Sequence, residues 1–210
     1  VVATDDSGAS DAASVPQTVT VTIDGTNEQP TLTVTETAAH MDEGAGSATL
    51  TDAGSLSLGE LDENDQVVVS QTSNADISWS GGALDAGVAA ALVAGFSVDQ
   101  DSWDYSSAGD LDFVGAGETI TFSYTVVATD DSGASDAASV PQTVTVTIDG
   151  TNDAPHVTTG ISDATAREDY AFAHDVSGSF SDVDGLETAL RFTATLENDQ
   201  ELPAWLTIDD

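Results

Sequence analysis

Two short acidic runs share one spacing: GELDEND, with Glu60, Asp62 and Asp65, and FSDVDGLE, with Asp182, Asp184 and Glu187, both read acid-x-acid-x-x-acid. Within a turn such a run can curl its carboxylate oxygens towards one point. A hard divalent cation such as Ca²⁺ asks for that arrangement, taking roughly 6 to 8 oxygens at about 2.3 to 2.6 Å. The spacing is not that of an EF-hand, which needs a glycine at the sixth loop position and a glutamate at the twelfth. A third kind of acidic position recurs at a fixed distance from a proline. DEG, around Glu43, follows Pro30 at the interval at which RED, around Glu168, follows Pro155. A solvated turn is the alternative for both runs, and a hairpin tip is the alternative for Asp130 and Asp131.

Other chemistries find little material. His40, His156 and His174 lie far apart without a metal-binding interval, and with no cysteine there is no thiolate site or disulfide. No GxSxG occurs, and a Ser-His-Asp triad has no local signature. Paired carboxylates could serve glycoside hydrolysis, but no aromatic-rich cleft accompanies them. Trp79, Trp103 and Trp205 stand in strand-like contexts, where a core role is expected; Trp79, among Ser78, Ser80, Gly81 and Gly82, is also a candidate sugar platform.

The composition narrows the partners. Among 210 residues, 38 Asp and Glu face 2 Lys and Arg, a formal charge of -36, or about 0.17 per residue. There is no lysine, and the arginines are Arg167 and Arg191. Nucleic acid is excluded, because phosphate binding needs clustered cations. An anionic membrane is disfavoured by the same sum, and no apolar run approaches the roughly 20 residues of a spanning helix. The chain reads as an internal soluble fragment. Its hydrophobic fraction is mostly Ala and Val, enough for thin sandwich cores.

The elements that must position the acids are strands, and they repeat. Val1 to Asn27, VVATDDSGASDAASVPQTVTVTIDGTN, recurs without change as Val126 to Asn152. Residues 1–29 are thus the closing hairpin of one unit, 30–153 a complete unit, and 154–210 the start of a different one. In the complete unit Ile120, Phe122, Tyr124 and Val126 alternate with Thr and Ser, as do Val144, Val146 and Ile148, the pattern of two strands with one buried face. The turn-rich DDSGASDAAS between them makes a long hairpin. Shorter strands are expected at Thr31–Glu36, Ser47–Thr51, Val67–Thr72, Ile77–Ser80 and Phe96–Val98, with one helix at Ala86–Ala94 stopped by Gly95. The last unit offers strands at Ala171–Val176, Ala189–Leu196 and Trp205–Ile208. An all-β fold of β-sandwich domains follows. Residues 1–27, a hairpin without its sheet, are expected to be disordered or paired with another copy.

The segments TVTVTIDGTNEQP and TVTVTIDGTNDAP, with SWDYSSAGDLDFVGAGETITFSYTV upstream, resemble the VCBS-type repeats of giant bacterial surface adhesins, the RTX adhesins. From Arg167 onward the chain resembles the first half of a dystroglycan-type cadherin-like domain, through its acid pair, FxDxD and LPxWLxID. These resemblances imply immunoglobulin-like, cadherin-like sandwiches in tandem along an extended rod, Ca²⁺ at the junctions, and export by type I secretion to the outer cell surface. Glu28 and Gln29 stand where the second copy has Asp153 and Ala154.

Strand parity says which acids can meet, because antiparallel strands alternate their loops between two ends. If the first strand runs down, Glu43, Asp149, Asn152 and Asp153 gather at the bottom of the complete unit and meet Asp182, Asp184 and Glu187 of the next. At the top, Asn27 and Glu28 join Glu60, Asp62, Asp65 and Asp130 or Asp131. The expected function is a non-enzymatic extender: adjacent repeats of one chain, stiffened by calcium, hold a distal domain that contacts a host or substrate surface. A carbohydrate- or peptide-binding module, through loops near Trp79 or Asp99 to Asp104, and an accessory domain of a secreted hydrolase are the alternatives.

Overall fold

The computed structural model describes residues 1–44, 46, 48–184 and 190–208. Nine strands and one helix fall between Thr31 and Asp149: β1 (Thr31–Val34), β2 (Ala38–Asp42), β3 (Thr49–Gly59), β4 (Val68–Ser73), β5 (Ser78–Trp79), α1 (Ala86–Val93), β6 (Phe96–Val98), β7 (Ser102–Ala108), β8 (Thr119–Thr129) and β9 (Gln142–Asp149). They make two sheets, one ordered β1-β3-β7-β6 and the other β2-β9-β8-β4, with β5 added to β8. Among the described residues the fold is all-β with a single α-helix.

The β8–β9 hairpin is the longest expression of the period-two pattern, pairing Thr119 with Asp149 through to Val126 with Gln142. Its apolar set, Ile120, Phe122, Tyr124, Val126, Val144, Val146 and Ile148, faces inward and is almost fully buried. The other sheet supplies Leu32, Val34, Leu50, Leu56, Phe96, Trp103 and Tyr105 to the same core. The large aromatics fill what Ala and Val cannot. Phe96 stacks between Trp103 and Tyr124, at centroid distances of 5.6 and 4.2 Å. Trp103 donates its indole N–H to the Glu36 carbonyl at 2.8 Å and lies over Gly54, where a Cβ would come within 2.3 Å of the ring nitrogen. Helix α1 is capped by Asp85, which accepts from the Gly87 and Val88 amides, and the Tyr105 and Tyr124 hydroxyls pin its end at the Leu92 and Val93 carbonyls.

Three expectations change. Strands β2 and β7 were not anticipated; β2 pairs parallel to β9, so that Asp42 lies beside Asp149, and β7 lies between β3 and β6. Of the expected Ser47–Thr51 strand, Ser47 lies outside the described residues and Thr49–Thr51 begin the 11-residue β3, whose continuation carries Asp52 and Gly54, weak strand formers that pairing with β7 holds in place. Beyond Pro155 the described residues form only the two-residue strands β10 (His156–Val157) and β11 (Phe180–Ser181), a short 3₁₀ turn at Ser177–Ser179 and a bridge between Thr195 and Glu201. Ala171–Val176 and Trp205–Ile208 are not strands, and Trp205 is 78% exposed rather than in a core. A short alternating run needs a partner sheet to bury one face, and among the described residues these two runs have none. Within residues 1–27 there is no strand either; Val19, Val21 and Ile23 are exposed.

Candidate functional site

Two acidic clusters sit at opposite ends of the β8–β9 hairpin. The upper one forms where β3 ends and β8 turns. The Glu60 carboxylate folds back to accept from the Leu61 and Asp62 amides at 2.7 and 3.0 Å, which makes the acid-x-acid turn. Asp62 in turn accepts from the Glu28 backbone N–H at 2.8 Å. Asn27 donates its amide to Asp130 and Asp136 at 3.4 and 3.1 Å, and Asp131 accepts from the Gln66 N–H at 2.9 Å. Asn27, Glu28, Glu60, Asp62 and Asp130 are therefore brought to one place, with Asp65 beside them. Burial pushes the Asp65 carboxyl above its ordinary value, and the negative charges of Asp130, Asp131, Asp62 and Glu60 push it further. Asp130 is held below its ordinary value by hydrogen bonds, first from the Ser132 side chain and then from the Ser132 backbone and Asn27.

The lower cluster forms where β2 and β9 end. The Glu43 N–H bonds to the Asp149 carbonyl at 2.9 Å, placing a side chain that is only 1% exposed. Its Oε1 accepts from the Thr151 hydroxyl at 2.6 Å. The Asp153 N–H donates to Asp184 Oδ2 at 3.1 Å, and the Asp184 N–H donates to Asp182 Oδ1 at 3.2 Å. The two clusters thus repeat one motif: a linker residue, Glu28 or Asp153, gives its amide to the second acid of the run, Asp62 or Asp184, whose own amide is tied to the first. Burial raises the Glu43 carboxyl above its ordinary value against the opposing Thr151 bonds, and Asp153 and Asp112 add to the rise. Asp153 is raised by burial and then by Asp112, Asp184, Asp182 and Asp110.

Two expected ligands stand apart. Asp149 lies in β9 with its carboxylate on the outward face, where it pairs with the His40 imidazole, so only its backbone joins the cluster. Asn152 is exposed and bonds to the Asp153 carbonyl. Glu187 lies outside the described residues. Sequence reasoning missed Asp110 and Asp112, which the loop after β7 folds under the lower cluster, and Asp136 at the upper one. GDLDF carries the same acid-x-acid signal as the runs that were read, and Asp112 accepts from the Gly46 N–H at 2.6 Å. Gly150 makes room for that loop: a Cβ there would lie 2.0 Å from the Val114 carbonyl oxygen.

No cationic side chain answers these charges. Among the described residues the ion pair between His40 and Asp149 stands alone, and no group of three or more acids and histidines is already converged as a metal shell. What the clusters do hold is buried oxygens without a hydrogen-bond partner: Asn27 Oδ1 and Glu60 Oε2 above, Glu43 Oε2, Asp153 Oδ2 and Asp184 Oδ1 below. Leaving such an atom unpaired costs about 1–3 kcal/mol, more when it is charged. An all-oxygen donor set of mixed carboxylate and amide character fits a hard cation and offers nothing to a soft one. Trp79 is already engaged, donating to Glu118 at 2.8 Å with its ring against the edge of Phe113. Among the described residues no helix is long and apolar enough to cross a membrane. No family model matches the chain, and no curated protein matches it.

Proposed function

We propose that the chain is a non-catalytic structural extender, a run of immunoglobulin-like sandwich repeats whose junctions are stiffened by Ca²⁺. The observation that carries this reading is the repeated linker-to-acid hydrogen bond with unpartnered buried oxygens beside it at both ends of the sandwich. Glu60, Asp62, Asp65, Asn27 and Asp130 would hold one ion, and Glu43, Asp153, Asp182 and Asp184 another. The bound cation supplies positive charge and electrophilic coordination where the protein has only negative oxygens.

Everything else falls to the chain. Without a counter-charge, the carboxylates of Asp153, Asp184, Asp182 and Asp112 repel across the linker, and only single hydrogen bonds hold the two sides together. With it, the same side chains become the attachment of one module to the next. Sites of this acid-rich, loop-built type in extracellular modules bind at about 10⁻⁴–10⁻³ M, which matches a cell exterior. Together with the resemblance to VCBS-type and cadherin-like repeats, this supports reading the chain as part of a type I secreted RTX adhesin at the bacterial surface. There it would hold a ligand-binding domain away from the cell in adhesion or biofilm formation. Small-angle scattering tests the reading: in calcium the chain should be long and stiff, and EDTA should broaden its distance distribution and lower its melting temperature. Identical profiles in both conditions would reject it.

A further inference from the structure

The two sheets of the complete unit end in four edge strands, β1, β2, β4 and β6. Two are short, β1 with four residues and β6 with three. On β2 the outward N–H of His40 is taken by the Asp52 carboxylate at 3.0 Å, a side chain reaching across from β3. The edge at β4 is different. It runs six residues, Val68–Ser73, and its one ladder is with β8. The Asn74 N–H bonds to the Ser123 carbonyl at 3.0 Å, which fixes the parity: Val68, Ser70 and Thr72 exchange bonds with β8, so Val69, Gln71 and Ser73 turn their N–H and C=O outward. Among the described residues nothing bonds to those outward backbone groups. The nearest cover is at the upper end, where Gln100 Nε2 donates to the Val67 carbonyl at 3.1 Å.

Edge strands are ordinarily blunted by charge, proline or a covering element. Here the ten residues from Gln66 to Ala75 carry neither charge nor proline, in a chain whose formal charge is -36. Val68, Ser70 and Thr72 stand exposed on the outer face. The linkers meet the unit at its two ends, through Glu28 and Asp153, so they do not run along this side. We propose that the β4 edge is a docking surface for β4 of a second copy of this chain, the two strands pairing antiparallel about a two-fold axis at Gln71. That register sets Val69 against Ser73 of the partner copy and Gln71 against its own counterpart, so every outward N–H and C=O of the strand meets its complement. Two copies this acidic repel over most of their surface, whereas β4 brings no charge into the contact. A second copy supplies that neutrality and the matching register in one strand. Asp65 and Asp76, which flank the run, fall at the ends of the ladder, where salt screens them. Because the strands are antiparallel, the copies lie with upper and lower ends reversed. On the extender reading this is the orientation of rods that meet from two facing surfaces; the pairing itself rests neither on that reading nor on any cation.

The absence of cysteine makes the test direct. In the full chain, Q71C places two Cα atoms about 5.5 Å apart across the axis, inside the roughly 4.4–6.8 Å of a disulfide. V68C, at a more exposed position of the same strand, places them about 20 Å apart. Under mild oxidation in high salt, Q71C should give a disulfide-linked dimer on a non-reducing gel, while V68C and S97C, the latter on the β6 edge, stay monomeric. Sedimentation of the unaltered chain should show a dimer that grows with concentration and with salt. The double variant S70D/T72D sets acids directly opposite each other twice across the axis; it should abolish the dimer and leave the circular dichroism spectrum unchanged. Monomer at every concentration of the unaltered chain, a dimer that persists in S70D/T72D, or linkage through V68C or S97C as rapid as through Q71C overturns the proposal.

Discussion

Replacing Glu43 by Gln separates an electrostatic junction from an ordinary buried hydrogen bond. Glu43 is 1% exposed; one oxygen accepts from Thr151, and the other has no partner. Gln keeps the shape and the acceptor for Thr151, removes a charge that burial and the Asp153 and Asp112 carboxylates oppose, and puts an N–H₂ where the unpartnered oxygen was. In EDTA the change should stabilise the fold by about 1–3 kcal/mol. For a sandwich of this size each kcal/mol moves the melting temperature by about 3–5 °C, so the rise is about 3–15 °C. In calcium the same substitution removes a charged ligand. A tenfold loss of affinity shrinks the stabilisation gained from the ion by about 1.4 kcal/mol. Thermal melts followed by the fluorescence of the buried Trp103, with and without the ion, read both effects. If E43Q melts below the wild type in EDTA and its gain from calcium is unchanged, Glu43 is a structural hydrogen-bond partner and the junction argument fails.

Three further outcomes follow from the geometry. Gly150→Ala drives a methyl into the Val114 carbonyl and should cost at least about 1–3 kcal/mol in urea denaturation, whereas Gly25→Ala, in identical sequence but with nothing within 4 Å, should leave the midpoint in place. In EDTA, stability should rise on mild acidification. Glu43, Asp65 and Asp153 have folded-state values raised above 4.5, 3.8 and 3.8, so the folded state takes up protons before the unfolded state does, down to those ordinary values. Below them Asp76 and Asp130, both held low by serine hydrogen bonds, lose their contribution and the trend reverses; saturating calcium should flatten the rise. Tyr124→Phe leaves the Val93 carbonyl without its 2.7 Å donor and should cost about 1–3 kcal/mol by the same denaturation.

How far the sequence could be read depended on how much of each feature is local. The β8–β9 hairpin was legible because Ile120, Phe122, Tyr124 and Val126 state their period in large side chains on both sides of a turn-forming loop. Strand β2 was not, since its buried residues are Ala39 and Met41 and its stability comes from pairing with β9, more than a hundred residues on. Trp205 has the composition of a core residue, but it is exposed where no sheet forms around it. At the site, the shared spacing from a proline singled out Glu43, and parity put it at the end where Asp153 and Asp184 lie. Asp110 and Asp112 escaped because their place depends on a loop folding back over Gly150, a tertiary approach that no interval in the sequence encodes. Asp149 was assigned by its neighbours, although strand alternation turns its carboxylate outward to His40.

The most direct measurement is an anomalous difference map from crystals of the whole chain grown in calcium. The account predicts one peak against Glu43, Asp153 and Asp184 and another against Asn27, Glu60 and Asp62. A map with both places empty, or with its peaks confined to scattered surface carboxylates, would contradict it.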